Sequence, residues 1–322
     1  MQVHRELDEL PSFRRPVLTI GSFDGVHLGH QDLLGQIRQR AEDLEGESVL
    51  VTFDPHPRHV LQQSGAPLRL LTTTAEKCER IAAQGIDHVV IVPFDHAFAR
   101  QTAETYLNDF LFGRFQPHTV VIGYDHRYGL GRKGDISLLR QVAAQRQIEV
   151  AEIAARDVER LAVSSTRIRT AVADGRLQEA ATLLGSAYPL SGHVVRGEAI
   201  GRTIGFPTAN LDLAAPHKLL PADGVYAVHA HRNYLGKRGQ TSELVQGMLY
   251  IGERPSLAGK RPRSIEVNLL DFDADLYGEM LRVEVIARVR DDQAFDSLEA
   301  LRTQIARDRD TTLRLLAQTV KS

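Results

Sequence analysis

The sequence predicts two folds in tandem: a doubly wound α/β sheet, then an antiparallel β-barrel or sandwich with a terminal helix. Three observations carry the prediction. From Pro16 onward, short β-rich runs alternate with helical stretches, the pattern of a parallel sheet with helices on both faces. After Pro189 the helical period disappears. Short alternating segments follow, separated by turn-rich pieces such as Pro221-Ala222-Asp223-Gly224. The 322 residues suffice for two ordinary domains, each burying its own core.

In the first half, residues 17–20, 49–53, 88–92, 119–122 and 148–153 read as strands. Their apolar faces are nearly continuous, as strands covered on both sides require. Thr73 and Glu76 form a capping box for the helix that follows, and Gly85 lies just past its last periodic residue. A helical stretch from Ser164 to about Gly185 closes this half. In the second half, residues 192–196, 224–230, 264–270 and 281–289 read as strands, and 297–317 as the final helix. The expected domains are 1–186 and 187–322. Ligands of doubly wound sheets sit beyond the carboxyl ends of the strands, so the loops after Ile20, Phe53 and Ile122 are expected to carry the chemistry.

Hydrophobic residues make up 43% of the chain and charged residues 25%, the balance of a folded globular protein. A net charge of -2 leaves no excess of either sign to drive binding to nucleic acid or a membrane. Neither partner is expected, and any phosphate recognition is local. The single cysteine, Cys78, excludes an internal disulfide framework and a cysteine-rich zinc site. The first residues carry Glu6, Asp8 and Glu9 with no apolar leader core, and no apolar run reaches spanning length. A cytoplasmic protein is expected.

The segment Gly21-Ser22-Phe23-Asp24-Gly25-Val26-His27-Leu28-Gly29-His30 follows the first strand and opens the first helix. Its glycines allow the backbone to approach a ligand closely, and helix-start amides suit a phosphate. His27 and His30 are three residues apart, a spacing that puts both on one side of a helical turn as donors to phosphoryl oxygens. Two surface histidines and a zinc pair are the other readings of these residues. Ser164, Ser165, Thr166, Arg167 and Arg169 stand at another helix start, where hydroxyls cap the backbone or hold a phosphate and guanidinium groups neutralise anionic oxygens.

The His27-Leu28-Gly29-His30 tetrad resembles the His-x-Gly-His signature of nucleotidyltransferases, and the segment around Ser164 resembles the second signature of that superfamily. Thr52-Phe53-Asp54-Pro55-His56-Pro57, Gly123-Tyr124-Asp125-His126-Arg127-Tyr128-Gly129 and Gly131-Arg132-Lys133-Gly134-Asp135 narrow the resemblance. They are similar to the adenylyltransferase domain of the prokaryotic bifunctional riboflavin kinase/FAD synthetase family, which implies a Rossmann-like sheet. The resemblance implies that His27 and His30 are catalytic and contact phosphates, and that Gly21, Phe23, Asp24 and Gly25 bind ATP and its phosphates with them. It further implies that Ser164, Ser165, Thr166 and Arg169 cradle ATP, that Asp125 lies near the nucleotide, and that Mg2+ offsets the charge of pyrophosphate. In the implied reaction the FMN phosphate attacks the α-phosphorus of ATP, so positioning and charge neutralisation carry the rate.

In the second half, Gly201-Arg202-Thr203-Ile204-Gly205-Phe206-Pro207-Thr208-Ala209-Asn210 offers two loop glycines and two neutral oxygen donors, Thr208 and Asn210, for a hard cation. A hairpin loop with turn residues is the plainer reading. The segment resembles the Mg-ATP motif of riboflavin kinases, and 221–228, 266–272 and 275–278 match further along in the family order. The resemblance implies a riboflavin-kinase β-barrel in which Gly201, Gly205, Pro207, Thr208 and Asn210 bind ATP and its phosphates. It further implies that Thr208 and Asn210 hold the Mg2+ and that Glu266, otherwise readable as an ordinary solvated strand glutamate, is the base for the terminal hydroxyl of riboflavin. In 264–269, strand alternation sets Ile265, Val267 and Leu269 on one face and Glu266 with Asn268 on the other. Tyr250 and Ser256 stand where the family usually has Asn and Thr, His126 and Tyr128 where it often has Phe, and Ser22 where Asn is common.

The expectation is a cytoplasmic enzyme that uses ATP and Mg2+ twice, with riboflavin, FMN and FAD as its flavins and a weak homo-oligomer left open. An adenylyl- or cytidylyltransferase for another phosphorylated metabolite is one rival, though it leaves the second half unexplained. A flavin-sensing protein without activity is another.

Overall fold

The structure is a computed structural model of the 322-residue chain. It describes all residues except 63, 124–125, 154–163, 198–199, 214, 233–242, 254, 257–258, 261–262 and 320–322. By its internal packing the chain divides into two compact units, Met1–Ser165 and Thr166–Ser322.

The first unit holds strands β1 (Gln2–His4), β2 (Val17–Ile20), β3 (Ser48–Phe53), β4 (His88–Val92), β5 (Thr119–Gly123) and β6 (Glu149–Ile153). They form one sheet in the order β1-β4-β3-β2-β5-β6, and every pairing is parallel. Strand alternation sends neighbouring residues to opposite layers. Leu18, Ile20, Val49 and Val51 pack with Leu107, Phe110 and Leu139 on one side. Val17 and Leu50 pack with Leu34, Ile37 and Ala41 on the other. The latter three recur at helical spacing along α1 (Leu28–Asp43), which explains why that helix docks on the sheet. Leu34 and Ile37 are fully buried, each worth about 1.5–3 kcal/mol of transfer free energy. The order reverses between β2 and β5, so the crevice where a ligand of such a sheet binds opens at the ends of these two strands.

The five expected strands are present, and β1 adds an edge that the sequence reading lacked. The capping box forms as expected: Thr73 Oγ1 accepts from the Glu76 amide at 3.2 Å, and Glu76 Oε2 from the Thr73 amide at 2.9 Å. The single helical stretch expected from Ser164 is instead two helices, Ser165–Ala173 and Leu177–Leu184, broken at Asp174-Gly175-Arg176. Both lie in the second unit apart from Ser165, and Leu177–Leu184 packs on barrel strands.

The second unit contains β7 (Tyr188–Val195), β8 (Ala209–Asp212), β9 (Gly224–Arg232), β10 (Glu243–Gly252), β11 (Pro255–Ser256), β12 (Gly259–Lys260), β13 (Ser264–Leu269) and β14 (Met280–Asp291). Six of them close an antiparallel barrel in the order β10-β13-β8-β7-β14-β9, and β9 pairs back onto β10. The barrel reading therefore holds over the sandwich, and closure leaves no exposed sheet edge. The terminal helix, Leu298–Thr319, packs against β9, β10 and β14. Asp308 on that helix is 3% exposed and accepts from Arg290 Nε of β14 at 2.9 and 3.1 Å.

Candidate active site

At the end of β2 the chain turns sharply before α1. Phe23 (φ 47°) and the β-branched Val26 (φ 41°) both adopt left-handed backbone, a costly conformation that surrounding contacts must hold in place. Asp24 supplies much of that hold. It is 3% exposed, and its carboxylate accepts from the Leu71 amide at 2.9 and 3.1 Å and from the Thr72 amide at 3.1 Å. The Gly25 amide donates to Thr72 Oγ1 at 3.1 Å, and the Gly21 amide to the Val51 carbonyl at 3.0 Å. Among the residues expected around phosphate, Asp24 thus has its carboxylate turned onto backbone of the 71–72 segment.

His27 caps α1. Its Nδ1 accepts from the His30 amide at 3.4 Å, which assigns the proton of a neutral ring to Nε2. The two rings stack at 3.8 Å with 14° between planes, and Phe23 lies 4.9 Å from His30 on centroids. Burial, then the neighbouring His27, then the Lys77 ammonium hold His30 well below the ordinary imidazole value of 6.5, so it is neutral at pH 7. His30 Nδ1 is buried and has no hydrogen-bond partner among the described residues.

Ser165 reaches this loop from far along the chain: its Oγ donates to the Asp24 carbonyl at 3.0 Å. The structure therefore brings the two distant motifs of the first unit together. Ser164 and Thr166 are exposed and Arg169 is half-buried. Asp125 lies outside the described residues.

Aromatic rings crowd the ends of β3, β4 and β5. Phe53 meets Phe94 edge-on at 5.3 Å, Tyr106 stacks on Tyr128 at 5.0 Å, and His126 stacks on Tyr128 at 5.8 Å. Burial pushes the Tyr106 and Tyr128 hydroxyls above their ordinary value. Tyr128 Oη donates to the Asp135 carbonyl at 2.9 Å, so this position, where Phe is expected from the resemblance, uses its hydroxyl to pin the next loop.

In the barrel, Gly201 lies where a Cβ would collide with the Phe206 carbonyl, and Gly205 has φ 83°. Both positions require glycine, one for close approach and one for left-handed backbone. The loop delivers Pro207 and Thr208 to the start of β8. Thr208 Oγ1 donates to Glu266 Oε2 at 3.1 Å, and Asn268 Nδ2 donates to the Pro207 carbonyl at 2.7 Å. Glu266 is 4% exposed, so it is no ordinary solvated strand glutamate. On the ladder it stands opposite Asn210 of β8 and Tyr250 of β10, and directly opposed residues share a face. A cleft of about 250 Å³ lies alongside, walled by Thr208, Val267, Leu269, Phe272, Tyr277 and Arg202. Thr208 both lines the cleft and bonds Glu266. Arg202, which the sequence reading left without a role, lines the cleft together with the carboxylates of Asp273 and Asp275.

Lys77 was also missed. It is buried, and its ammonium donates to the Ser22 carbonyl beside the histidine loop. A lysine four residues before the buried Ile81, on the apolar face of its helix, was the available signal.

The family described as FAD synthetase matches residues 10–167, and the family described as riboflavin kinase matches 184–316. A bifunctional riboflavin kinase/FMN adenylyltransferase of Escherichia coli is 38% identical over 292 residues, covering 91% of this chain and 90% of the relative. A protein of the same name from Bacillus subtilis is 34% identical over 304 residues, covering 93% of this chain and 92% of the relative. A crystal structure described as a macrolide-efflux protein from Streptococcus pneumoniae has a TM-score of 0.81 at 29% identity, covering 96% of this chain and 98% of that one. Efflux belongs to that description; among the described residues here, no helix is long and apolar enough to cross a membrane. With both halves matched in order and relatives above 30% identity along nearly the whole length, the chain belongs to the bifunctional riboflavin kinase/FMN adenylyltransferase family.

Proposed function

We propose that the chain makes FMN and then FAD, each at the expense of ATP. The barrel unit transfers the γ-phosphoryl group of ATP to the terminal hydroxyl of riboflavin. The sheet unit transfers AMP from ATP to the phosphate of FMN and releases pyrophosphate. The reading is carried by one observation made in both units: motifs far apart in sequence meet at a polar contact, Ser165 with the Asp24 carbonyl and Thr208 with Glu266.

In the sheet unit, neither histidine needs to form a bond to substrate. The start of α1 turns its first amides toward an anion, the His30 amide already being taken by His27 Nδ1, and His27 and His30 offer ring donors beside them. The left-handed backbone at Phe23 and Val26, latched by Asp24 to the 71–72 segment, fixes this arrangement before substrate arrives. Preorganisation of this kind is the main protein contribution to phosphoryl and nucleotidyl transfer. Phe53, the partly buried ring at the end of β3, supplies a face on which a flavin ring would stack.

In the barrel unit, Glu266 takes the proton of the attacking hydroxyl. Thr208 donates its own proton to Glu266, which orients the carboxylate and leaves the threonine oxygen's lone pairs turned elsewhere. Those lone pairs and the Asn210 side chain are hard, neutral oxygen donors, which fits Mg2+. Magnesium takes few protein ligands and completes its shell with water and phosphate oxygens. When bound, Mg2+ supplies charge neutralisation at the phosphates.

The lone Cys78 and the small net charge support work in the reducing cytoplasm without a nucleic-acid or membrane partner. The functional seam is placed at 186/187, with residues 187–322 as the kinase. The test is isotopic. With riboflavin, Mg2+ and ATP, a γ-phosphorus label should enter FMN and an α-phosphorus label should enter FAD. Hydrolysis of ATP with neither label reaching a flavin would contradict the reading.

A further inference from the structure

Lys77 lies in the first turn of the helix Thr74–Ala82 and is 5% exposed. Its Nζ donates to the Ser22 carbonyl at 3.1 Å, to Thr52 Oγ1 at 3.0 Å and to the Phe53 carbonyl at 3.4 Å. Three donors meet three oxygens, which is the environment of an ammonium and not of a neutral amine. Ser22 belongs to the loop after β2, while Thr52 and Phe53 end β3, so one side chain ties the carboxyl ends of two adjacent strands, one of which borders the crevice between β2 and β5. Thr52 Oγ1 also donates to the Ser22 carbonyl at 3.2 Å, closing a small network around the ammonium.

Lysine is rarely buried, because removing the ammonium from water is costly. Burial draws the Lys77 pKa down from 10.5, opposed by the carboxylates of Asp24 and Asp54 and by Cys78. A methionine would fill the same space without that cost, so a buried cation here calls for a role that charge alone serves.

We infer that Lys77 is a positioning residue for adenylyl transfer: it pins the loop from Gly21 to His30 at Ser22 and sets a fixed positive charge against that loop. The inference rests on the reading of that loop as the phosphate site. The charge favours the polyphosphate of ATP and the phosphate of FMN without being spent on a surface ion pair. It also acts on His30, where the Lys77 ammonium joins burial and His27 in keeping the ring neutral.

The test uses the full chain with Lys77→Met, Lys77→Arg and Thr52→Val. Three quantities are read: FMN adenylylation, riboflavin phosphorylation by the same chain, and the NMR titration of His30. Lys77→Met should lower kcat for adenylylation on the order of 10²-fold. Riboflavin phosphorylation should be unchanged, and the His30 midpoint should move upward. Lys77→Arg should restore most of the activity and leave His30 near its native midpoint. Thr52→Val keeps the charge and removes one acceptor, so it should cost some kcat with the His30 midpoint unmoved. Native adenylylation in Lys77→Met overturns the inference, as does native adenylylation in Thr52→Val should the methionine variant fail to fold. An unmoved His30 midpoint in Lys77→Met, or Lys77→Arg as inactive as Lys77→Met, overturns the role of the charge. Unimpaired adenylylation in His30→Ala would instead overturn the reading of the site itself.

Discussion

Thr208 Oγ1 stands 3.1 Å from Glu266 Oε2, bridging the phosphate-motif loop and the strand that carries the proposed base. The two residues are 58 positions apart in sequence, and they meet because β8 and β13 are neighbours in the barrel. The pairing couples cation binding to base orientation. Glu266→Gln keeps the shape and removes the proton acceptor. Riboflavin phosphorylation should fall by about 10²- to 10⁴-fold, while supplied FMN is still converted to FAD. Steady-state assays of the two half-reactions check this.

Thr208→Val removes both the hydroxyl proton given to Glu266 and the oxygen offered to Mg2+. Kinase turnover should fall and the Mg2+ concentration needed for half-maximal activity should rise. A Mg2+ titration of the kinase reaction decides: a normal magnesium dependence would show that Thr208 only orients the glutamate.

Tyr250 stands opposite Glu266 on the β10–β13 ladder, and its Oη reaches Asp292 Oδ2 at 3.4 Å. It is a departure from the family's usual Asn and neighbours the base without belonging to the phosphate motif. Tyr250→Asn should change KM for riboflavin while kcat moves little. Ser256 falls in the short strand β11, and the equivalent Ser256→Thr change should behave the same way.

Asp24 is predicted to matter for stability first. Asp24→Ala leaves the buried amides of Leu71 and Thr72 without their acceptor, at a cost of about 1–3 kcal/mol for each unsatisfied group. Thermal unfolding should report a lower Tm, and the riboflavin kinase reaction should persist at temperatures where the sheet unit remains folded.

The depressed pKa of His30 predicts a pH dependence. Between its folded value and the ordinary 6.5, the unfolded chain binds a proton that the folded chain refuses, so stability rises with pH across that window. The contribution is complete above about 6.5 and is lost as pH falls toward the folded pKa. His30→Gln should flatten the fall in Tm on acidification; an unchanged slope would mean that the ring titrates alike in the folded and unfolded chain.

Much of this was legible in the sequence because strong local signals agreed with the tertiary outcome. Apolar runs such as Val49 to Phe53 and the Thr73–Glu76 capping box are set by burial on two faces and by local hydrogen bonding, and both formed as read. Strands β1, β8 and β10 were not. Gln2–His4 is too short to show a period, Ala209–Asp212 reads as the tail of a loop motif, and Gly247 interrupts the apolar run of Glu243–Gly252. The histidine pair was visible as a motif, whereas the latch that makes its loop rigid was not. Asp24 and Leu71 are 47 residues apart, and nothing in either segment announces the other. Lys77 was hidden for a different reason: lysine is solvated so regularly that a buried one is recognised only from its place among Cys78 and Ile81 on a packed helix face.

The central claim is that two separable sites on one chain work in series. The most direct measurement is incubation of the wild type, His30→Ala and Glu266→Gln with riboflavin and Mg-ATP, followed by chromatographic separation of FMN and FAD. The account predicts both products from the wild type, FMN accumulating without FAD from His30→Ala, and neither product from Glu266→Gln until FMN is supplied, when FAD appears. Loss of both steps in either folded variant, or FAD formation by His30→Ala at the wild-type rate, would contradict it.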